Sequence, residues 1–434
     1  MSVLFSRLKN HPVAYARTRA FFSRHKLPPG DLVEHDQLGK ADRKALLHCA
    51  ENLGPVFKGI AWGELCICVV GLERCRTLTQ EHGGDLRHVA MELEHLIPKG
   101  LLHSMEGDEH RQYRRATMQA LKGIDLAGNE SALEAIAASA LREYAGRAGE
   151  HGNAASAFTS AMSGLATSAV AWLFFGAEPG TDVHARFMAH FRELGPHGLV
   201  WNPLKRQENA FRAFRDDLGA EVAAMRAGNG SLTQCGLLAQ MLEQKTLDDT
   251  LLGNLIYQAE MGRSDLKNWF RWLTRHVTDD PAVLDRIVAD ESGRQWARPL
   301  VEAFALETLR TDQSERMMRT VKRDFVFDGF LFPQHASVRL CLWESHHLDS
   351  AFEAPHNFDP ARFLDSMPGK DRYAPFGVDH HQCPVGSVVI RLGMVYLRAL
   401  ARGYRVTQLA EGPEVRGGYH WEPAPGFAVK LEPR

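Results

Sequence analysis

The stretch Phe376-Gly377-Val378-Asp379-His380-His381-Gln382-Cys383-Pro384-Val385-Gly386 places one cysteine shortly before the apolar run from Val388 to Leu400. The spacing of that run predicts a helix, and the glycines and polar residues before it predict a loop. A thiolate at such a junction is stabilised by the unpaired N–H groups and the positive dipole end of the helix. Pro384 suits the first helical position, where its missing N–H costs nothing. The pattern therefore predicts a cysteine presented as a ligand.

Other residues of this loop suit a flat ligand with an anionic edge. Gly377 and Gly386 allow the backbone to turn and to approach a planar group closely, which a side chain would block. His381 can donate a hydrogen bond to an anionic group at the edge of that ligand. These features favour Cys383 as the ligand of a haem iron. An inert core cysteine remains open as an alternative, and so does a zinc site to which His380, His381 and Cys383 contribute.

The loop resembles the haem-binding loop of cytochrome P450 enzymes, in which a cysteine thiolate is the axial ligand of iron. The residues that carry this resemblance are Phe376, Gly377, His381, Cys383, Gly386 and, on the following helix, Arg391. Asp379 and Val385 stand where the family usually has glycine. Gly386 matches the second of those glycines if one residue is inserted, and Arg391 then matches the arginine of the family's helix.

Length and composition limit the classes of protein to consider. The chain has 434 residues, and no linker or repeat divides the sequence, so one domain spanning 1–434 is expected. Lys plus Arg total 51 against 53 for Asp plus Glu, which argues against nucleic acid or an anionic membrane as the main partner. Seven cysteines without a framework of spacings indicate reduced thiols in the cytoplasm.

Two segments bear on a membrane association. The region from Met1 to Arg24 has interspersed basic residues and no apolar core, so neither a signal peptide nor an anchor is expected. The run from Ala157 to Ala177 is long and uncharged, but it contains several Ser, Thr and Gly residues, which favours a buried helix over a membrane span.

The segment from Met105 to Leu121 predicts a helix with acidic residues at its N-terminus. His110 and Arg114 are four residues apart and therefore share one helix face, where two donors can clamp a carboxylate. A solvated basic face is the alternative. The resemblance implies that this pair binds a haem propionate. Arg111 and Arg115 point elsewhere and can form part of a docking surface for an acidic redox protein.

A long helix is predicted from about Asp248 to His276. The resemblance implies that this helix crosses the haem and carries a glycine next to an acid–alcohol pair, which delivers protons to bound oxygen. Gly262 matches the glycine, and Ser264 and Asp265 supply the pair in inverted order, with Glu260 close by. Proton delivery needs an ionisable or hydroxyl group within reach. Ordinary polar helix residues are the alternative.

A second strong signal is the pair Glu307 and Arg310, which are three residues apart among apolar neighbours on a predicted helix. Burying both charges is costly unless their hydrogen bonds are satisfied. The pair resembles the family's Glu-x-x-Arg, which implies a buried network completed by Arg362 in a Phe-x-Pro-x-Arg-Phe segment. Arg319, nine residues after Arg310, begins a segment of alternating apolar residues. The resemblance implies that Arg319 binds a propionate from a strand.

The resemblance covers the chain from about Gly54 onward and implies a mainly α fold with a smaller β region, the cytochrome P450 fold. The β-rich part is expected at about 54–72 and 319–342, the helical body at about 105–311, and the cysteine loop with its helix at 376–402. The local patterns expected are strands at 54–60 and 64–70, a helix at 72–79, and a break at 195–203 containing Trp201. That break suits a mobile lid over a pocket, with a plain surface loop as the alternative.

The function implied by the resemblance is that of a soluble bacterial haem-thiolate monooxygenase, binding haem b (iron protoporphyrin IX) through Cys383. A small organic substrate, a ferredoxin or flavodoxin electron donor and a monomeric state are expected. The cofactor-binding residues implied are His110, Arg114, Arg319, Phe376, His381, Cys383 and Gly386. Because the acid–alcohol pair is inverted, peroxide-driven oxidation, coupling, rearrangement or dehydration stays open, and so does a haem sensor or carrier without turnover.

Overall fold

The computed structural model describes residues 12–31, 42–61, 63–89, 93–147, 154–195, 204–313, 315–417 and 420–434. Its α-helices are α1 (Pro12–Phe22), α2 (Ala45–Leu53), α3 (Leu72–His82), α4 (Gly107–Gly123), α5 (Glu130–Gly146), α6 (Ala154–Val170), α7 (Asp182–Leu194), α8 (Lys205–Arg226), α9 (Leu237–Glu243), α10 (Asp249–Asp279), α11 (Val283–Ser292), α12 (Leu300–Thr308), α13 (Leu342–His346) and α14 (Gly386–Gly403). Its strands are β1 (Val56–Ala61), β2 (Glu64–Val70), β3 (Leu86–His88), β4 (Arg316–Val321), β5 (Phe325–Phe327), β6 (Phe330–Phe332), β7 (Ser337–Cys341), β8 (Tyr404–Ala410), β9 (Val415–Arg416), β10 (Trp421–Glu422) and β11 (Ala428–Pro433). The chain is therefore mainly helical with a smaller β region, as the sequence predicts.

The largest sheet has the strand order β1-β2-β7-β4-β3. β2 and β7 run parallel, and the other neighbouring pairs are antiparallel. β7 is buried along its whole length, and β2 is buried after its first residue, as expected for strands covered on both faces. At the far edge, His88 of β3 pairs in register with Arg319 of β4. The sheet thus holds these two basic residues side by side.

The helix α10 forms the axis of the helical body. It begins where the side chain of Asp248 accepts a hydrogen bond from the N–H of Leu251 at 2.8 Å, a typical N-cap. It contacts α6 and α14. Gly393 of α14 lies so close to the ring of Trp269 of α10 that a Cβ at Gly393 would overlap the ring. This contact fixes the helix after the cysteine loop against the long helix.

The uncharged segment near the middle of the chain is the helix α6, continued by a π-helical turn over Ala171–Phe175. By length and composition it is the one described helix that could cross a membrane, but 61% of its most apolar window is buried in the protein. Phe158 and Met162 are fully buried on it. The expectation of a buried core helix agrees with this position.

Most local expectations agree with the structure, with two differences. Pro384 is not the first helical residue, because α14 begins at Gly386; the N–H of Cys383 bonds instead to the carbonyl of Phe376, so the loop continues through Pro384. Arg310 lies in a π-helical turn, Leu309–Gln313, rather than in regular α-helix. Of the break expected at 195–203, residues 196–203 lie outside the described part of the chain.

Candidate active site

The cysteine loop is folded by its own backbone. The N–H of Cys383 donates to the carbonyl of Phe376 at 2.8 Å, and the N–H of Gln382 donates to the carbonyl of Asp379 at 3.0 Å. The Phe376 ring packs on Gly386, where a Cβ would come within 2.7 Å of the ring. A glycine is therefore required at position 386, because any side chain there would displace Phe376.

Cys383 is accessible to solvent, but many protein atoms surround it. These atoms weaken the hydration of the thiolate and raise the pKa of the Cys383 thiol to about 11, and the negative charge of Asp265 acts in the same direction. A hydrogen bond from the backbone of Val385 and the charge of Arg114 lower it. The helix N-terminus alone does not produce a thiolate here. A bound cation would, since a coordinating thiol loses its proton.

His110 and Arg114 extend from α4 toward this loop. His110 is buried, and its ring stacks on that of His381 with centroids 3.8 Å apart. Burial lowers the pKa of Arg114, while the charges of Cys383 and Asp379 oppose that shift, so Arg114 lies near both. Arg111, on the same helix, faces solvent, as predicted for a residue turned away from the site.

Asp379 occupies the position where the family usually has glycine, and the structure gives it a partner. Arg319 of β4 is buried and pairs with the Asp379 carboxylate at 2.5 Å. The other carboxylate oxygen of Asp379 accepts from the N–H of His381 at 2.9 Å. Asp379 thereby links the strand β4 to the cysteine loop and orients His381.

Two further histidines, which sequence reasoning missed, join this group. The ring of His88 also packs against that of His381, with centroids 3.7 Å apart, so His381 contacts both His88 and His110. His103 lies next to His88 and bonds through Nδ1 to the hydroxyl of Tyr257 at 3.1 Å. Only the pairing of β3 with β4 brings His88 here, and a three-residue strand leaves no clear periodic signal in the sequence.

These histidines are electrically neutral in the protein alone. Burial, reinforced by neighbouring positive charges, lowers the pKa of His110 to about 4 and that of His381 to about 2. Burial also lowers the pKa of His103 to about 4 and holds that of His88 well below its usual value. Each ring therefore offers one N–H donor at neutral pH.

The donor set fits the carboxylates of a haem edge. Within the described residues, Nδ1 of His381 and Nε2 of His88 are buried without a hydrogen-bond partner. Arg114 and Arg319 add positive charge beside them, and Asp379 compensates only part of it. Buried polar atoms normally have partners, so this cluster suits an anionic ligand group.

The zinc alternative is tested by the same geometry. Ligand atoms of His110, His380 and His381 lie within 4.8 Å of one another, whereas Cys383 is not part of this group. The rings of His110 and His381 are only 26° from parallel. Nitrogen lone pairs lie in the ring plane, so two stacked rings do not direct them at one ion. The arrangement therefore favours an anion over a tetrahedral metal site.

On α10, the four predicted residues separate into two groups. Glu260 is buried and forms an ion pair with Arg263 at 3.5 Å, while Arg263 also donates to the carbonyl of Gly195. Gly262 borders open space, since a Cβ there would meet no atom within 4 Å. The side chain of Asp265, three residues on, is 47% exposed in the middle of a core helix. Gly262 and Asp265 thus share one open face.

Of the predicted acid–alcohol pair, Asp265 is the residue whose charge acts on Cys383, because it raises the pKa of the thiol. Ser264 precedes it by one residue and therefore points about 100° away around the helix. Glu260 is held by Arg263 and does not join Asp265. Of the four predicted residues, Asp265 acts on Cys383 through its charge, and Glu260 is paired with Arg263.

The predicted network around Glu307 is present and deeply buried. Arg310 binds both oxygens of Glu307, at 2.7 and 2.8 Å, and both side chains are inaccessible to solvent. Nε of Arg362 lies 3.4 Å from the same carboxylate, which also accepts from the N–H of Asp359 at 2.8 Å. The remaining Arg310 donors are taken by the carbonyls of His346, Pro355 and Asn357. This network fixes the chain that leads into the cysteine loop.

Comparisons with known proteins agree with this geometry. Residues 285–392 match the family model described as Cytochrome P450. The chain is 24% identical over 445 residues to "Abscisic acid 8'-hydroxylase 2" of Oryza sativa subsp. indica, covering 94% of this chain and 86% of the relative. It is 24% identical over 377 residues to "Putative cytochrome P450 138" of Mycobacterium tuberculosis (strain ATCC 25618 / H37Rv), covering 81% of this chain and 82% of the relative.

Solved structures share the fold at lower identity. "Retinoic acid bound cyanobacterial CYP120A1" has a TM-score of 0.75 at 17% identity, covering 95% of this chain and all of that chain. "Cytochrome P450EX alpha (CYP152N1) wild-type with myristic acid" has a TM-score of 0.70 at 16% identity, covering 94% of this chain and 99% of that chain. The backbone architecture is therefore common to these proteins.

Proposed function

Because this chain belongs to the cytochrome P450 family, we propose that it is a monooxygenase that inserts one atom of molecular oxygen into a small organic substrate. It is an oxidoreductase, and its cofactor is haem b with the Cys383 thiolate as the axial ligand of iron. When bound, the haem supplies the oxidative chemistry, because the thiolate donates electron density that favours O–O cleavage. The name of the rice relative, a hydroxylase, supports hydroxylation as the reaction.

The cofactor's propionates would be held by His110, Arg114, Arg319 and His381. His88 joins this set, because its buried Nε2 lies beside His381. Haem binding at this site is supported by the neutral imidazoles and guanidinium ions that surround the loop carrying Cys383. Such donors stabilise carboxylates through charge-assisted hydrogen bonds.

Proton transfer in the open space is assigned to Asp265. A general acid must lie within hydrogen-bond reach of the reacting group, directly or through one water. Asp265 and Gly262 border the same open space on α10, and the charge of Asp265 reaches Cys383. Glu260 is given no proton-transfer role, since it is paired with Arg263, and Ser264 stays the predicted alcohol of the pair.

The family generally acts on small organic molecules with electrons from redox partners. For this chain we propose a ferredoxin or flavodoxin, docking on the exposed basic residues of α4, Arg111 and Arg115. A cytoplasmic, monomeric protein fits this proposal. An acidic partner would be attracted to such a surface, and the association rate would fall with salt.

A second candidate reaction is peroxide-driven oxidation, which the inverted order of Ser264 and Asp265 favours. The experiment is product analysis under two conditions, isotopically labelled O₂ with NADPH and redox partners, and hydrogen peroxide alone. The monooxygenase proposal expects label in the product and loss of O₂-driven turnover in Asp265→Asn. Turnover with peroxide alone, unaffected by Asp265→Asn, would favour the second candidate. No oxidation of any compound in a broad screen would favour a carrier or sensor.

A further inference from the structure

The hairpin of β9 and β10 brings a histidine from near the C-terminus against the long helix. Nε2 of His420 lies 3.4 Å from Oδ1 of Asp265, and Nδ1 lies 3.8 Å from Oε2 of Glu315. The imidazole thus stands between a carboxylate on the open space and a carboxylate in the core. The side chains of Asp265 and Glu315 are 47% and 6% exposed, which separates these two environments.

Glu315 is built into the fold as an anchor. Its Oε1 lies 2.8 Å from Nη1 of Arg316 and 3.7 Å from Nη2 of Arg339, and it also contacts the guanidinium of Arg416. Guanidinium groups on several sides compensate a buried carboxylate, which would otherwise be costly. Arg416 belongs to β9, so the same hairpin that carries His420 is tied to Glu315. Glu315 therefore anchors the hairpin that carries His420.

Asp265 gives this cluster its access to the site. Ser264, the predicted alcohol, directly precedes Asp265 on α10. The fold sets a titratable group against Asp265 as well, and this group is His420. The side chain of His420 is 22% exposed, so it can exchange protons with water.

We propose that His420 is a positioning residue that exchanges a proton with Asp265, oriented by Glu315. This inference rests on the proposed function, because it supplies the proton that Asp265 would use. In the step, the Nε2–H bond of the His420 imidazolium breaks and an O–H bond forms at Oδ1 of Asp265. The step transfers a proton and changes no oxidation state. The imidazole is left neutral with its remaining proton on Nδ1, facing Glu315, and solvent water reprotonates Nε2.

The charged groups around His420 come from each element packed against it. Asp265 faces it from α10, Glu315 faces it from the segment before β4, and Arg416 stands behind Glu315 on β9. Each ring nitrogen of His420 thus faces one carboxylate, Asp265 at Nε2 and Glu315 at Nδ1. His420 is therefore placed to accept a proton from water and to donate a proton to Asp265.

The test compares His420→Gln with His190→Gln in the haem-loaded protein. His190 is a matched control, because it is also 22% exposed and its Nε2 lies 3.0 Å from Asp217, on the helices α7 and α8. In wild type, O₂-driven product formation should depend on pH, because the proposed step transfers a proton. His420→Gln should lose on the order of 10²-fold in rate and flatten that profile, and His190→Gln should match wild type.

Cyanide binding gives a readout that does not depend on turnover. Hydrogen cyanide must release its proton to a nearby base as it binds to iron, so the association rate reports on Asp265 and His420. We expect association at pH 7 to slow by about tenfold or more in His420→Gln and not in His190→Gln. The double variant His420→Gln/Asp265→Asn should be no slower than Asp265→Asn alone, because the two residues act in series.

The outcomes separate this inference from the proposed function. If the wild type shows no thiolate-ligated haem or no O₂-driven turnover, the proposed function fails and this inference fails with it. If wild type is active but His420→Gln keeps its pH profile and cyanide kinetics, only the inference is overturned. Independent, multiplicative losses in the double variant would also overturn it. Substrate-induced spin-state changes that match wild type in His420→Gln would verify that the pocket is intact.

Discussion

Removal of Arg310 should destabilise the fold far more than loss of an ordinary helix ion pair. Arg310→Ala leaves the Glu307 carboxylate without its two guanidinium hydrogen bonds, at a site where both side chains are fully buried. It also removes the donors to the carbonyls of His346, Pro355 and Asn357. Arg362 remains, but its Nε is 3.4 Å from Glu307. Breaking such a buried pair costs about 3–5 kcal/mol.

A matched control is the pair Arg147 and Glu143, whose side chains are each 60% exposed on a helix surface. Arg147→Ala should change the free energy of unfolding by less than about 1 kcal/mol, because exposed pairs contribute little. Both variants would be measured by urea unfolding followed through tryptophan fluorescence, together with haem content per chain. We expect low haem occupancy and a strongly reduced unfolding free energy for Arg310→Ala only.

The sharpest contrast is Glu307→Gln, which keeps the shape of the side chain and removes its charge. Because Arg310 and Arg362 would then be buried without their anion, this variant should also be destabilised, although less than Arg310→Ala if the three carbonyl contacts persist. The reasoning is refuted if Arg310→Ala unfolds within about 1 kcal/mol of Arg147→Ala and binds haem at the wild-type level.

Other substitutions test the geometry around the cysteine and the buried histidines. Gly386→Ala should lower the free energy of unfolding by about 1–3 kcal/mol, because its Cβ would overlap the Phe376 ring. The control Gly164→Ala on α6, where a Cβ would meet no atom within 4 Å, should be neutral or slightly stabilising. Similar unfolding midpoints for the two variants would contradict this. Arg319→Ala should leave Asp379 unpaired and lower haem retention against apomyoglobin capture, while Arg323→Ala, on an exposed side chain, should not. Burial lowers the pKa of His346 to about 3, and its Nε2 accepts a hydrogen bond from the N–H of Ala374. Below pH 6.5 the unfolded chain therefore binds more protons than the folded chain, so the free energy of unfolding should fall as the pH drops from about 6.5 toward 3. The slope should reach up to about 1.4 kcal/mol per pH unit, and His346→Asn should remove it.

Local patterns predicted the elements that depend on nearby residues. The long helix, the first two strands and the Glu307–Arg310 pair follow from hydrophobic spacing and from positions three or four residues apart. The sequence predicts that α14 starts at Pro384, two residues before its observed start at Gly386, because this prediction uses only Pro384 and the apolar residues next to it. The hydrogen bond that keeps the chain in a loop reaches back to Phe376.

Long-range pairings account for what the sequence could not predict. Asp379 looked like a departure from the family pattern, and its role follows from Arg319, which lies 60 residues away in the chain. His88 reaches the site only through the register of β3 on β4, and His420 only through a hairpin folded against α10. Such contacts depend on how elements pack, which propensity and periodicity do not encode.

The identity of the iron ligand decides whether the proposed chemistry applies to this chain. The measurement is the absorption spectrum of the reduced, carbon monoxide-bound protein in wild type, Cys383→Ser and Cys235→Ser, the last being a partly buried cysteine beside Thr233. We predict the red-shifted Soret band of a thiolate-ligated haem in wild type and Cys235→Ser, and its loss in Cys383→Ser. The same band in Cys383→Ser, or no haem in wild-type protein expressed with ample precursor, would contradict the assignment.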